Sequence, residues 1–384
     1  MSLKSLKMNF SSLGLSEYLL EAIKKARYEE PYPIQIKAIP AILNRKDVLG
    51  IAPTGSGKTA SYVLPILELL IKKEVTKSRS VRVLVVVPTR ELATQVDTVI
   101  KGLSEFLPRS IKTMAVFGGV SINPQMLNLF GTEILVATPG RLLDLVSKNS
   151  VQISDIEILV LDEADKVLNL GFRDEVEEIF ALLPKKRQNI LFSATTEDSL
   201  KSLIAKLLHN PVTIEVEQET ITPDLISQSA YLVSQEKKGP LLRYLIEKEN
   251  WNQVLVFTSS IRAADNLTVK LKKNGIDAQA FHGDKSQGAR TDALTKFKAG
   301  KLRVLVATDL ASRGIDIKFL PFVVNYELPR SPKDYIHRIG RTGRAGTPGQ
   351  AISLICEEDR HHFKVIQKKM GRWVDLIDSG NFDL

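Results

Sequence analysis

Residues 52–59 have the types and spacing of a loop that binds phosphate. Gly55 and Gly57 let backbone N–H groups turn inward around phosphate oxygens. Lys58 can then reach the β- and γ-phosphates of a nucleotide, and the Thr59 hydroxyl can bind Mg²⁺. An alanine stands where the general pattern has its first glycine, but an ordinary glycine-rich turn does not explain the Gly-Lys-Thr sequence. The residues predicted to surround the phosphates are Thr54, Gly55, Ser56, Gly57, Lys58 and Thr59.

A run of carboxylates, Asp162, Glu163 and Asp165, follows the apolar stretch at residues 158–161. In α/β sheets, ligands bind at the carboxyl ends of the strands, where this run lies. Asp162 can hold Mg²⁺ through its water shell, since that ion retains waters and takes few carboxylates. Glu163 can orient and deprotonate the water that attacks a γ-phosphate. A solvated acidic turn is the alternative interpretation, and the phosphate loop argues against it.

Both motifs need strands that end at one edge of a sheet, and the hydrophobic pattern predicts such strands. Short β-branched runs alternate with helix-like stretches in two blocks, which is typical of parallel strands buried on both faces. At 384 residues, the chain is too long for one compact core. We therefore predict an α/β fold with two doubly wound sheets. The predicted strands are residues 48–51, 83–87, 134–137, 158–161 and 190–192, then 254–257, 304–307, 322–325 and 351–355.

The composition is that of a globular protein, with 43% hydrophobic residues and no apolar run near the roughly 20 residues that span a bilayer. A single cysteine, Cys356, excludes a disulfide framework and any multi-cysteine metal site. The first residues lack the apolar stretch of a secretory signal, so we expect a cytoplasmic protein. Residues 1–223 hold 27 Lys+Arg against 26 Asp+Glu, whereas residues 224–384 hold 26 against 18. A basic second half suits a polyanion, although a solvated basic surface would have the same charge.

Both motifs, and residues 10–356 as a whole, resemble the DEAD-box RNA helicases, a family named after the sequence found here at residues 162–165. The motifs occur in the family's order and with similar spacing. The resemblance implies two RecA-like domains that close on ATP, Mg²⁺ and one RNA strand, hydrolyse ATP, and unwind short duplexes or remodel RNA–protein complexes. The expected bounds are an N-terminal domain at 1–209, a linker at 210–223, a C-terminal domain at 224–371 and a tail at 372–384.

Residues 28–35 resemble the family's Q motif, which reads adenine. The Gln35 side chain offers an amide donor and a carbonyl acceptor, which suits the Hoogsteen edge of that base. Phe10 lies where the family places an aromatic side chain near the base. The chain departs from the family pattern at Arg27, usually glycine, and at Tyr32, usually Thr or Ser. We therefore expect adenine binding in which the family's small hydroxyl is either missing or replaced by another group.

Several short stretches resemble the family's RNA-contacting motifs, and each follows a strand-like run. Hydroxyls, arginines and backbone N–H groups at such turns bind phosphate and sugar. Only 6% of the residues are aromatic, so we expect contacts to the RNA backbone and little sequence preference. The predicted RNA contacts are Pro88, Thr89, Arg90, Gly118, Gly119, Thr138, Pro139, Gly140, Arg141, Thr258, Gln287, Arg290, Thr308, Asp309 and Arg313.

A late basic stretch, residues 337–344, resembles the motif that supplies arginine fingers. By resemblance, Arg341 and Arg344 stabilise charge that develops on the γ-phosphate, and Asp316 contacts the ATP ribose. Other residues are expected to couple the nucleotide state to RNA, either by bonding to the acidic motif or by joining the two domains. This coupling set is Asp165, Ser193, Thr195, His337 and Arg338.

Three alternatives remain at this point. A P-loop kinase or GTPase would need an acceptor-binding or guanine-reading motif, and we find neither in the sequence. An RNA clamp or annealing factor would use the same motifs without useful strand separation. A DNA translocase is disfavoured by the family resemblance alone, because backbone contacts do not distinguish RNA from DNA.

Overall fold

The computed structural model describes residues 9–53, 55–72, 81–195, 198–216, 226–312, 320–343 and 349–382. The chain divides into two compact units, Met1–Gln218 and Glu219–Leu384. Each unit holds one sheet of seven strands with helices, and every strand pairing described is parallel. The predicted fold class, two tandem RecA-like α/β domains, is confirmed.

The first unit contains seven strands in the order β3-β4-β2-β5-β6-β1-β7. The strands are β1 (Val48–Ile51), β2 (Val83–Val86), β3 (Thr113–Val116), β4 (Ile134–Ala137), β5 (Ile158–Leu161), β6 (Gln188–Ser193) and β7 (Val212–Glu215). The helices are α1 (Glu17–Lys25), α2 (Pro33–Leu43), α3 (Lys58–Ile71), α4 (Arg90–Ser104), α5 (Asn123–Asn128), α6 (Pro139–Ser147), α7 (Ala164–Asn169), α8 (Arg173–Leu182) and α9 (Asp198–Leu207). A 3₁₀ turn, Phe10–Leu13, precedes α1.

The second unit has the strand order β10-β11-β9-β12-β13-β8-β14. Its strands are β8 (Ile226–Leu232), β9 (Val254–Thr258), β10 (Ala278–Phe281), β11 (Val304–Thr308), β12 (Phe322–Asn325), β13 (Gly349–Ile355) and β14 (Leu376–Asp378). Its helices are α10 (Lys238–Lys248), α11 (Ile261–Lys273), α12 (Gln287–Lys298), α13 (Asp309–Ser312), α14 (Pro332–Ile339) and α15 (Arg360–Met370). No helix in the described ranges is long and apolar enough to cross a membrane.

Successive residues of each central strand enter opposite cores, which explains the continuous apolar runs in the sequence. In β2, Val83 and Val85 pack in one core, and Leu84 and Val86 pack in the other. Each face is therefore covered by helices, and the polar residues that follow a strand collect at its carboxyl end. The sheet thus brings residues that are far apart in sequence to one edge.

The order of the strands divides that edge of the first sheet into two halves. The phosphate loop, the acidic run and the Ser193 turn follow β1, β5 and β6, which are neighbours. The first three predicted RNA motifs follow β2, β3 and β4, which are also neighbours. The topology alone therefore separates a candidate nucleotide half from a candidate RNA half.

Two segments that the sequence placed outside the domains contribute strands. Val212–Glu215, in the predicted linker, form β7, where the Val212 N–H donates to the Asp47 carbonyl at 2.8 Å. Leu376–Asp378, in the predicted tail, form β14 beside β8. Phe382 then packs edge-on against Tyr231, with ring centroids 5.8 Å apart. Both strands lie at sheet edges and are short and partly exposed, so their hydrophobic pattern is weak.

Candidate functional site

The phosphate-binding loop joins β1 to α3 through two glycines in the left-handed region. Gly55 has a φ of 92° and Gly57 a φ of 86°, a conformation that costs other L-residues about 1–2 kcal/mol. Gly57 is the residue before α3, so N–H groups at the start of this helix face the loop. The Ser56 hydroxyl donates to the Pro53 carbonyl at 2.9 Å. Thr54 lies outside the described residues.

Lys58, the first residue of α3, is buried, and its side chain hydrogen-bonds to backbone carbonyls of the phosphate loop. Its Nζ donates to the Ala52 carbonyl at 2.6 Å and to the Pro53 carbonyl at 3.3 Å. Burial lowers the pKa of Lys58, while Asp162 and Glu163 act in the opposite direction. A phosphate that enters the loop would replace the two carbonyls as the partner of this ammonium group.

The Q-motif segment packs directly against the phosphate loop. Gln35 is 3% exposed, its Nε2 donates to the Gly57 carbonyl at 3.1 Å, and its Oε1 accepts from the Tyr32 N–H at 2.9 Å. Both ends of the amide therefore already have protein partners. Phe10 is also buried, and its ring centroid lies 6.5 Å from that of Tyr28. Of these four side chains, Tyr32 is the most exposed, at 53%.

Asp162 follows β5 and offers two carboxylate oxygens within the core of the site. Oδ1 accepts from the Glu163 N–H at 2.8 Å, and Oδ2 accepts from the Tyr62 hydroxyl at 2.9 Å. Burial, and next the Glu163 carboxylate, raise the pKa of Asp162 to about 6. A divalent cation would favour the ionised form. Thr59 and Asp162 supply only oxygen ligands, each with an unused lone pair, so this pair fits Mg²⁺.

Glu163 has an unusual backbone and an incompletely satisfied carboxylate. Its φ of 52° lies in the left-handed region, where non-glycine residues are uncommon. Oε1 accepts from the Lys166 Nζ at 2.6 Å. Oε2 is buried and has no hydrogen-bond partner within the described part of the chain. Such strain and an open acceptor are typical of functional sites, and the free oxygen can accept a proton from a water molecule.

The acidic run and the Ser193 turn are directly linked. The Thr195 hydroxyl donates to Asp165 Oδ2 at 3.5 Å. Ser193 is fully buried, and its hydroxyl donates to the Thr195 carbonyl at 2.8 Å while accepting from the Thr195 N–H at 3.2 Å. The hydroxyl bond that the family resemblance implies is therefore present, whereas its coupling role stays a prediction.

The predicted RNA motifs of the first unit form compact turns. Thr89 caps α4 by accepting from the Leu92 N–H at 3.2 Å, and Pro88 precedes it. The guanidinium of Arg90 lies against the backbone of Gly119, where an added Cβ would meet Nη2 at 2.0 Å. Gly119 has a φ of 74°, so its backbone conformation favours glycine, and a side chain there would displace the Arg90 guanidinium. No atom of the residues that the structure describes lies within 4 Å of a Cβ built on Gly118.

The third motif of this half begins α6. Thr138 precedes the helix, and Pro139 and Gly140 form its first turn. Arg141 is 8% exposed, and its Nη2 donates to the Val120 carbonyl at 2.8 Å. Its Nη1 is buried without a hydrogen-bond partner among the described residues. Arg141 thus connects the turns after β3 and β4.

In the second unit, buried Arg338 and partly exposed Asp309 form a two-point ion pair. Arg338 is 2% exposed, and its Nε and Nη2 donate to the two Asp309 oxygens at 2.6 and 2.7 Å. Its Nη1 donates to Asn325 Oδ1 at 3.1 Å, and its guanidinium lies 4.9 Å from the centroid of the Phe257 ring. Arg338 therefore joins α14 to the end of β11, beside buried Thr308.

The other predicted residues of this unit occupy strand ends and helix starts. Thr258 is fully buried, and its hydroxyl donates to the Ser260 carbonyl at 3.3 Å, so its side chain does not reach the surface. Gln287 begins α12, and Arg290 lies 5.1 Å from the centroid of the Phe281 ring. His337 is exposed and Arg341 half-buried. Arg313, Asp316 and Arg344 lie outside the described residues.

Sequence reasoning missed two side chains of this site. Tyr62 is fully buried, and its hydroxyl donates to Asp162 Oδ2 at 2.9 Å. Burial, and next the Asp162 charge, raise the pKa of Tyr62 well above its usual value, so the hydroxyl remains a donor. Lys166 could have been found, because a residue three positions after Glu163 faces it on a helix. No sequence signal placed Tyr62 beside β5.

The fold and these contacts define a P-loop nucleotide-binding protein with two RecA-like units. Residues 32–203 match the family model "DEAD/DEAH box helicase", and residues 236–346 match "Helicase conserved C-terminal domain". The chain is 38% identical over 375 residues to the ATP-dependent RNA helicase CshA of Listeria monocytogenes, covering 97% of this chain and 71% of the relative. It is also 38% identical over 373 residues to the DEAD-box ATP-dependent RNA helicase RhpA of Helicobacter pylori, covering 97% and 74%. The chain belongs to the DEAD-box helicase family.

Two solved structures are similar to this chain over nearly its whole length and support the same family. S. cerevisiae Dbp5 bound to RNA and ADP BeF3 has a TM-score of 0.84 and 30% identity, covering 98% of this chain and 97% of that one. A DEAD box protein from the hyperthermophile Methanococcus jannaschii has a TM-score of 0.53 and 37% identity, covering 96% and 99%.

Proposed function

We propose that this protein is an ATP-dependent RNA helicase that binds the backbone of single-stranded RNA and separates short RNA duplexes or remodels RNA–protein complexes. The observation that carries the proposal is the shared edge of the first sheet. A phosphate loop and two buried carboxylates occupy one half of that edge, and three turns with the family's RNA motifs occupy the other. The curated relatives named ATP-dependent RNA helicases, and a neighbour solved with RNA and ADP BeF3, support it.

In the first unit, each residue of the nucleotide half takes one task. The loop from Gly55 to Lys58 surrounds the phosphates, with Lys58 exchanging its loop carbonyls for phosphate oxygens. Thr59 and Asp162 hold Mg²⁺, which when bound neutralises charge on the phosphates. Glu163 accepts a hydrogen bond from the attacking water through its free Oε2 and takes its proton.

Adenine recognition falls to the Q-motif segment. Gln35 ties this segment to the phosphate loop through Gly57, so base binding and the loop's conformation are connected. We propose that Gln35 rearranges when adenine binds, because its amide already has two protein partners. Phe10 packs in the core beneath the segment and supports its position.

The second unit supplies the residues that make hydrolysis depend on closure. We propose that Arg341 and Arg344 stabilise charge on the γ-phosphate and that Asp316 contacts the ribose, as the family resemblance implies. Arginine fingers contribute about 10³- to 10⁵-fold in GTPases. With the fingers and the loop in different domains, ATP and RNA each favour the closed state and therefore each other's binding.

RNA is held by its backbone, so closure can bend one strand and part a short duplex locally. The candidate contacts combine arginines, hydroxyls and helix N-termini, which bind phosphate without reading the bases. Hydrolysis then removes the γ-phosphate contacts, the domains part and RNA leaves. We place this activity in the cytoplasm, and we propose that its two domains are the predicted ones at 1–209 and 224–371, the first extended by β7 and the second by β14.

The test is steady-state ATP hydrolysis with no nucleic acid, with single-stranded RNA and with single-stranded DNA. The proposal predicts strong stimulation by RNA alone, abolished by EDTA and by Lys58→Ala. Equal stimulation by DNA would indicate a general nucleic-acid translocase. Hydrolysis that RNA leaves unchanged would contradict the proposal, because nucleotide and RNA sites would be uncoupled.

A further inference from the structure

Tyr62 contacts Asp162, one of the two residues that the proposed function assigns to Mg²⁺. It lies one turn into α3, four residues after Lys58, and its side chain points across the core to the end of β5. The Tyr62 hydroxyl donates to Asp162 Oδ2 at 2.9 Å, and Thr59 lies three positions before Tyr62 on the same helix. A single phenol group therefore connects the helix that follows the phosphate loop to the acidic run.

We propose that Tyr62 is a positioning residue for Mg²⁺, which orients the Asp162 carboxylate toward the cation without contacting it. This inference rests on the proposed function. The direction of the hydrogen bond suits the task, because a phenol that donates to Oδ2 fixes the carboxylate and leaves its remaining lone pairs for the metal. Asp162 is fixed at both oxygens, by Tyr62 and by the Glu163 N–H.

The position of the ring makes this arrangement rigid. Tyr62 is 0% exposed, and its ring lies 5.8 Å from that of Phe192, which is also fully buried. Phe192 belongs to β6, the strand between β1 and β5. The hydroxyl is thus held by packing on the same sheet whose edge carries Asp162. Removing a residue that hydrogen-bonds to a metal ligand in this way typically changes metal affinity by about 10- to 100-fold.

The alternative is that Tyr62 is only a core residue whose buried hydroxyl needs a partner. The two roles differ in a measurable way, because a purely structural hydroxyl would affect the free energy of unfolding and leave cation affinity unchanged. Tyr62→Phe removes the hydroxyl alone and retains the ring against Phe192. A matched control is Tyr335→Phe in the second unit. Tyr335 is 1% exposed, and its hydroxyl lies 3.0 Å from the Ser353 hydroxyl.

The experiment uses the full chain saturated with ADP and titrated with Mn²⁺, with free Mn²⁺ measured by electron paramagnetic resonance. We expect Tyr62→Phe to weaken Mn²⁺ binding by about tenfold or more, while ADP affinity in EDTA and the thermal unfolding midpoint stay close to those of Tyr335→Phe. Unchanged Mn²⁺ affinity in Tyr62→Phe would overturn the inference. A loss of ADP affinity in EDTA as large as the loss of Mn²⁺ affinity would also overturn it, because the hydroxyl would then act on the nucleotide site as a whole. A wild-type chain that binds no Mn²⁺ with ADP would instead overturn the proposed function itself.

Discussion

Replacing Glu163 by glutamine separates binding from chemistry at this site. Glu163 Oε1 lies 2.6 Å from the Lys166 Nζ, and Oε2 is buried with no hydrogen-bond partner among the described residues. Glutamine keeps the shape and can still accept from Lys166 through its remaining oxygen. Its amide nitrogen replaces the free oxygen and cannot take a proton from water. ATP and RNA should therefore bind, but hydrolysis and the release that follows it should not occur.

The size of the effect follows from these contacts. A positioned general base contributes about 10²- to 10⁴-fold, which corresponds to roughly 3–5 kcal/mol in the barrier. The side chains of Glu163 and Lys166 are only 8% and 14% exposed. Weakening their charged hydrogen bond should therefore also lower the free energy of unfolding, by about 1.5–3 kcal/mol. The catalytic loss exceeds what this destabilisation explains, because the folded fraction stays high.

The assay follows a fluorescent single-stranded RNA bound in the presence of ATP and then chased with unlabelled RNA. Glu163→Gln should hold RNA far longer with ATP than with ADP. Lys166→Met is the control, since it breaks the same ion pair and leaves the carboxylate, so it should retain most of the hydrolysis. Rapid RNA release from Glu163→Gln with ATP would refute the reasoning. So would an equal loss of hydrolysis in Lys166→Met, because the ion pair and not the base would then be responsible.

Three further predictions concern backbone, charge and burial. Gly57→Ala should lose ADP affinity in a fluorescence titration, because its Cβ would lie 2.5 Å from the Gln35 side-chain amide. Gly171→Ala is the control and should retain ADP affinity, because Gly171 has a similar φ of 87° but space for a Cβ among the described residues. Asp309→Asn should lower the free energy of unfolding of the second unit by about 3 kcal/mol, because Arg338 stays buried without its charged partner. Adding Arg338→Met should recover part of the lost stability. Urea unfolding followed by tryptophan fluorescence measures both changes, since both tryptophans lie in that unit. Burial raises the pKa of the Cys356 thiol, so the thiol is both covered and protonated in the native protein. Ellman's reagent should therefore modify it only as fast as the second unit opens. Fast modification of the native protein would contradict the burial of Cys356.

The sequence predicted most inner strands well, because burial on both faces leaves a continuous apolar signal. Val83–Val86 and Ile158–Leu161 are examples, and their bounds agree with the predicted runs to within one residue. The sequence missed β8, an inner strand of the second sheet, because only two of its seven residues are buried. Edge strands leave no such signal. In β14, none of the three residues is fully buried, so the pattern there resembled a loose terminus.

The site was predictable only as far as local motifs reach. Residues from Gly55 to Thr59 and from Asp162 to Asp165 lie in consecutive positions, so local spacing was enough to predict a phosphate loop and an acidic run at these places, and their roles stay predictions. The hydroxyl of Tyr62 acts on Asp162, 100 positions away, and only the sheet order brings the two together. The burial of Gln35 and Thr258 was likewise invisible, because it depends on packing with distant segments.

Strand separation tests the central claim most directly. A short RNA duplex with a single-stranded overhang, one strand labelled, is incubated with the protein and ATP, and the released strand is measured. We predict ATP-dependent release that is abolished by Lys58→Ala and absent with ADP. RNA-stimulated ATP hydrolysis without strand release would contradict the helicase assignment and would favour an RNA clamp or annealing factor instead.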